Sequence, residues 1–203
     1  MIAEERRGVA SLVERLTSEQ LATASLCDGW TVQDVAGHLL MPLVTPLPTV
    51  LVTMLRSRFD WDVANDRLTR AVSGRPAAQI GAGLRQHAEH PFRPPGSGFE
   101  APLTDLLVHQ QDMRRPLGLE GPLDPQRLAV CLSYVASGKA KGVAPPRRVT
   151  GLRLEATDLG WSAGSGELLR GPGEALLLAL SGRSVAFDEL EGPGVAVLRG
   201  RCR

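Results

Sequence analysis

Apolar and polar positions along the chain change rhythm twice. From residue 2 to 22, Val9, Leu12, Val13 and Leu16 recur at helical spacing, which predicts one amphipathic helix. Residues 24–30 lose that spacing and read as a loop. Thr31 with Asp34 then resembles a capping box that opens a second helix. Residues 35–55 contain no Asp, Glu, Lys or Arg. A run of that length reaches the ~20 residues of a bilayer span, but Pro42, Pro46 and Pro48 interrupt it and Thr45, Thr49 and Thr53 recur four apart. The expectation is a kinked, buried helix beside a pocket. Its threonines either face a ligand or bond back to their own backbone.

Residues 61–72 carry a further helical pattern, broken by Ser73-Gly74-Arg75-Pro76. Residues 77–90 predict another helix, weakened by Gly81 and Gly83, and the Pro- and Gly-rich stretch 91–100 reads as a linker. Pro102 suits the first turn of a new helix that ends near Pro116. Asp124-Pro125 caps the last helix of the bundle, with Leu128, Cys131, Leu132 and Val135 as its apolar stripe. The second change comes after Ser137. Residues 138–150 are basic and Pro-rich, and beyond them Leu152, Leu154 and Ala156 alternate with Arg153, Glu155 and Thr157, as a strand requires. Gly164-Ser165-Gly166 reads as a turn, residues 173–181 as a short helix and residues 195–199 as a final strand. The fold class expected is α+β: a helical bundle over 1–137, a linker over 138–150 and a small α/β domain over 151–203.

Composition narrows the function classes. A net charge of +1 and an aromatic content of 4% offer neither a basic field nor stacking platforms for nucleic acid. Three cysteines, Cys27, Cys131 and Cys202, make no zinc-knuckle spacing and fit a reducing cytoplasm. The charged stretch Met1 to Arg7 lacks the apolar core of a signal peptide. Gly81-Ala82-Gly83 follows no strand, so it is no dinucleotide fingerprint, and Gly164-Ser165-Gly166 lacks the spacing of a nucleophile elbow.

The candidate chemistry lies elsewhere. Asp105 and His109 stand four apart and share one face if their segment is helical. A third ligand from a facing helix, such as His38, would complete a His/carboxylate/His set of the kind that holds a catalytic divalent metal with an open position. An exposed pair is the commoner meaning of that spacing alone. Asp112, one turn beyond His109, is an alternative ligand or a group that orients His109. Cys27 is a candidate nucleophile or ligand but suits small core packing. Trp30 is a pocket wall or a core anchor, and His87 and His90 are expected in solvent.

The stretch Leu26-Cys27-Asp28-Gly29-Trp30-Thr31-Val32, with Asp34-Val35 and His38-Leu39, resembles the N-terminal signature of the mycothiol-dependent maleylpyruvate isomerase family, within the DinB-like metalloenzyme superfamily. Asp105-Leu106-Leu107-Val108-His109 with Asp112 and Arg115-Pro116-Leu117-Gly118 is a second match, and the tail from Gly151 through Asp158-Leu159-Gly160-Trp161 to Val195–Arg199 is a looser third. The resemblance implies an up-and-down four-helix bundle followed by the small C-terminal domain. It implies His38, Asp105 and His109 as metal ligands, and Arg199 as a basic residue reaching the substrate. It also implies a divalent metal, zinc first, and mycothiol as thiol cosubstrate. The isomerase carries Glu where this chain has the shorter Asp105. The expected function is a metal- and thiol-dependent isomerase or S-transferase acting on a small electrophile. The alternative is a non-catalytic metal-binding protein of the same fold. Its partners would be the small-molecule substrate and the thiol, with no nucleic acid and no membrane, in a monomer or homodimer.

Overall fold

The computed structural model describes residues 1–121 and 123–202. Among them run ten α-helices: α1 (Ile2–Val13), α2 (Ser18–Ala22), α3 (Val32–Val44), α4 (Leu47–Arg56), α5 (Trp61–Ser73), α6 (Ala77–Gln86), α7 (Glu100–Arg114), α8 (Pro125–Ala136), α9 (Gly173–Leu180) and α10 (Gly194–Arg201). Three strands, β1 (Leu152–Ala156), β2 (Trp161–Gly164) and β3 (Glu167–Gly171), form one sheet in the order β2-β1-β3. The architecture is a helical N-terminal part followed by a small α/β part.

The chain divides into two compact units, Met1–Phe92 with His109–Gly121, and Arg93–Val108 with Pro122–Arg203. One boundary between the units falls within α7, between Val108 and His109, and in the second unit α8 packs on α9 and β2. Two alanines of the basic stretch, Ala140 and Ala144, are buried.

In the first unit α1 packs on α6, and α3 packs on both α5 and α6. Val9, Leu12, Val35, Leu39, Leu40, Leu68, Val72, Ile80 and Leu84 form its core. The glycines that weaken α6 are where its neighbours come close. A Cβ at Gly83 would meet the Leu40 side chain at 2.9 Å, and one at Gly81 the Glu14 side chain at 2.8 Å.

Two expectations for this unit are corrected. The first helix ends at Val13, and Thr17 and Gln20 close a capping box that starts α2 separately. The charge-free run is two helices. α3 ends at Val44, Thr45 is its C-cap, and Pro46, with its fixed φ, is the N-cap of α4. α3 is buried as expected, whereas no residue of α4 is, and Leu47, Leu51 and Leu55 are exposed. No helix among the described residues is long and apolar enough to cross a membrane.

In the second unit β1 pairs antiparallel with β2 and parallel with β3. Leu152, Leu154 and Ala156 point inward. The chain crosses the start of β1 between β2 and β3, and only glycine fits there: a Cβ on Gly164 or Gly166 would lie 2.3 Å from the Leu152 carbonyl oxygen or 2.2 Å from that of Gly151. α9 is the buried centre, with Leu176, Leu177, Leu178 and Leu180 at zero exposure. The stretch 195–199 is helix α10, not a strand. Gly194 and Leu198, four apart, are its buried residues, and the Leu168 carbonyl leaves no room for a Cβ at 194. A helical period therefore decides which residues face inward, overriding the β-branched composition.

Candidate metal centre

His38 is placed by the crossing of α3 and α5. Gly37, beside it, lets the backbones touch: a Cβ there would lie 2.6–2.8 Å from Ser73 atoms, two of them backbone. Ser73 Oγ donates to Asp34 Oδ1 at 2.6 Å, and Gln33 Nε2 donates to the Ser73 carbonyl at 2.7 Å. Asp34 also accepts from the Thr31 backbone N–H and hydroxyl, at 3.0 and 2.8 Å, in the expected capping box. Burial pushes the Asp34 carboxyl up, but the hydrogen bonds from Ser73 and Thr31 and the charge of Arg70 together outweigh it and hold it below its ordinary value. On α5 the buried Thr69 Oγ1 lies 3.4 Å from His38 Nδ1. Trp30 covers the other side, its ring centroid 5.1 Å from that of His38 and its Nε1–H donating to Asp66.

The loop before α3 ties these groups to the second half of α7. The N–H of Leu26 donates to the Asp112 carbonyl at 3.1 Å, and Gly29 turns the chain with φ +75. Cys27 Sγ donates to Asp112 Oδ2 at 3.1 Å, and His109 Nδ1 donates to the same oxygen at 2.7 Å. The His38 and His109 rings stand edge to face with centroids 4.9 Å apart.

Two ligand-like groups result, and they share His109. One is His38, Asp105 and His109, with one candidate atom from each residue all within 4.8 Å of one another. The other is Cys27, His109 and Asp112. α7 is one continuous helix, so Asp105 stands one turn before His109, as the four-residue spacing requires. The first group fits a metal. Atoms each ~2.0–2.2 Å from one zinc lie at most ~4.4 Å apart, close to the 4.8 Å within which these three atoms all fall. Both histidines have Nδ1 engaged, by Thr69 and by Asp112, which is how metal-ligating imidazoles are oriented to present Nε2. The second group is a hydrogen-bonded layer, since 2.7 Å between His109 and Asp112 is shorter than the roughly 3.4 Å between two ligands of a tetrahedral zinc. At 2.7 Å from His109 Nδ1, Asp112 makes the contact of an orienting group, one of the two alternatives open in the sequence.

The remaining candidates have contacts of their own. His87 Nδ1 is 2.9 Å from the Gly83 carbonyl, and His90 accepts from the Phe92 N–H. Thr53 bonds back to the Thr49 carbonyl, the ordinary fate of a helical threonine. Arg199 lies on α10, paired with Asp188 at 2.6 Å and 5.0 Å above the Phe187 ring. Sequence reasoning missed Thr69, Ser73 and the Cys27 to Asp112 bond, because nothing in a linear pattern says which polar side chains meet.

Residues 2–90 match the family described as mycothiol maleylpyruvate isomerase N-terminal domain. The match takes in Cys27, Trp30 and His38 and stops before Asp105 and His109. The crystal structure of a histidine-to-alanine mutant of the mycothiol-dependent maleylpyruvate isomerase has the same fold over 95% of this chain and 93% of that one, with a TM-score of 0.51 at 12% identity. The crystal structure of the mycothiol-dependent maleylpyruvate isomerase itself aligns over the same shares, with a TM-score of 0.49 at 13% identity. No curated protein matches the chain.

Proposed function

We propose that the chain is a mycothiol-dependent, isomerase-like enzyme, and that His38, Asp105 and His109 hold a divalent metal, zinc by preference. The observation that carries the reading is the convergence of two imidazoles and a carboxylate from two helices, in a chain whose residues 2–90 match the mycothiol maleylpyruvate isomerase N-terminal domain family. Bound there, the metal would act as a Lewis acid that favours the thiolate of a small thiol over the thiol, whose ordinary pKa is ~8.5. The protein's part is positional. Thr69 and Asp112 orient the two imidazoles, and the Trp30 ring packs against His38. The reaction is addition of thiolate sulfur to an activated carbon–carbon double bond. A C–S bond forms while the π electrons move to the conjugated carbonyl oxygen. Rotation about the new single bond, return of the electrons and expulsion of thiolate give the isomer. Protonation of the adduct instead gives an S-transferase product. No step is assigned to Arg199, whose guanidinium is engaged by Asp188 and Phe187.

Titration of zinc-loaded protein with mycothiol should release a proton near neutral pH, detected by calorimetry in two buffers of different ionisation enthalpy. Cobalt-substituted protein should gain a sulfur-to-metal charge-transfer band on thiol addition. His38→Ala should abolish both signals together with stoichiometric metal. A metal-loaded protein that shows neither signal would overturn thiol use, and unchanged metal in His38→Ala would overturn the ligand set.

A further inference from the structure

Cys27 and His109 share one oxygen. Asp112 Oδ2 accepts the thiol hydrogen at 3.1 Å and the imidazole Nδ1–H at 2.7 Å, while Sγ stands 3.6 Å from Nδ1. Asp112 is fully buried, and the N–H of Leu26 holds its backbone carbonyl at 3.1 Å. The thiol is therefore on the Nδ1 side of His109, on the carboxylate that orients it, and Cys27 is not one of the three residues of the His38, Asp105 and His109 group. We propose that Cys27 is a positioning residue. Its S–H, by occupying a second lone pair of Oδ2, fixes the rotation of the Asp112 carboxylate and so keeps the His109 proton on Nδ1 and the lone pair on Nε2. The loop that carries the family signature would then tune the ligand supplied by a distant helix. The inference rests on the metal reading of His38, Asp105 and His109. Its first test does not need metal.

Ring nitrogen shifts of 15N-labelled, metal-free protein, read by NMR where the imidazole is neutral, should show His109 as the Nδ1–H tautomer in the wild type and in Cys27→Ser. Cys27→Ala should show a mixture of tautomers. Competition with a chelator should then find zinc bound ~10-fold or more weakly by Cys27→Ala, the range seen when outer partners of a ligating histidine are lost. Cys27→Ser should recover most of that difference. An alanine variant with unchanged tautomer and affinity would overturn the proposal. So would a serine variant as weak as the alanine one, since loss of packing rather than of a donor would explain both. A charge-transfer band in thiol-free cobalt protein that vanishes in Cys27→Ala would make the cysteine a ligand and equally overturn it. His109→Ala with undiminished metal would sink the metal reading, while the tautomer measurement would still judge the hydrogen-bond layer.

Discussion

α3 and α4 come from one charge-free stretch, residues 35–55, yet they meet opposite environments. α3 packs on α5 and α6 and buries eight of its residues, among them Val35, Leu39 and Leu40. α4 packs on α5 and leaves Leu47, Leu51 and Leu55 on its outer side at 60–68% exposure. Apolar composition therefore does not say how many neighbours a helix will have. α3 has a glycine beside the residue it must position, a carboxylate at its start and partners on several sides. α4 has the leucines without the partners.

Three measurements bear on this contrast, in order of expected size. Leu40→Ala should destabilise the protein by ~2–5 kcal/mol, because a fully buried leucine leaves a cavity. Leu51→Ala should change stability by no more than ~0.5 kcal/mol, as for an exposed site. Chemical denaturation of the two variants reads both numbers, and comparable losses would show that α4 is covered in solution. Next, Gly37→Ala should destabilise by ~1–3 kcal/mol. The added Cβ meets Ser73 backbone, which cannot rotate away. It should also weaken metal binding through His38, and a variant as stable as the wild type would mean that the α3/α5 crossing is looser than 2.6 Å implies.

The smallest effect concerns pH. The Asp34 carboxyl is held below its ordinary value by Ser73, Thr31 and Arg70 against the opposing effect of burial. A depressed carboxylate adds stability above the unfolded pKa of ~3.9, and that stability disappears as pH falls through the lower folded value. The wild type should lose this contribution below about pH 4, and Asp34→Asn should show a flatter acid limb in thermal melts taken across that range. An identical acid limb in both proteins would remove Asp34 from the pH dependence.

Much of the fold was legible where signals are local. The boxes at Thr31/Asp34 and the cap at Asp124 form as read, because a cap needs only residues three apart. The stripe Leu128, Cys131, Leu132, Val135 and the alternation of β1 likewise report a face that the chain itself defines. The Thr17/Gln20 box is the same kind of local signal, and it marks the break between α1 and α2. Residues 195–199 misled because a short β-branched run is ambiguous until a sheet edge accepts or refuses it.

The sequence by itself determined the caps, the periodicities, the spacing of Asp105 and His109 and the proline breaks, since each depends on neighbours within one or two turns. Only the tertiary structure decided which face of the charge-free run is covered, and that Gly37, Gly81 and Gly83 are contact points rather than weaknesses. It alone set Thr69 beside His38 and Cys27 with His109 on one oxygen of Asp112. Those pairs lie 31 to 85 residues apart in the chain. Their meeting depends on helix packing and loop anchoring, which no local pattern encodes.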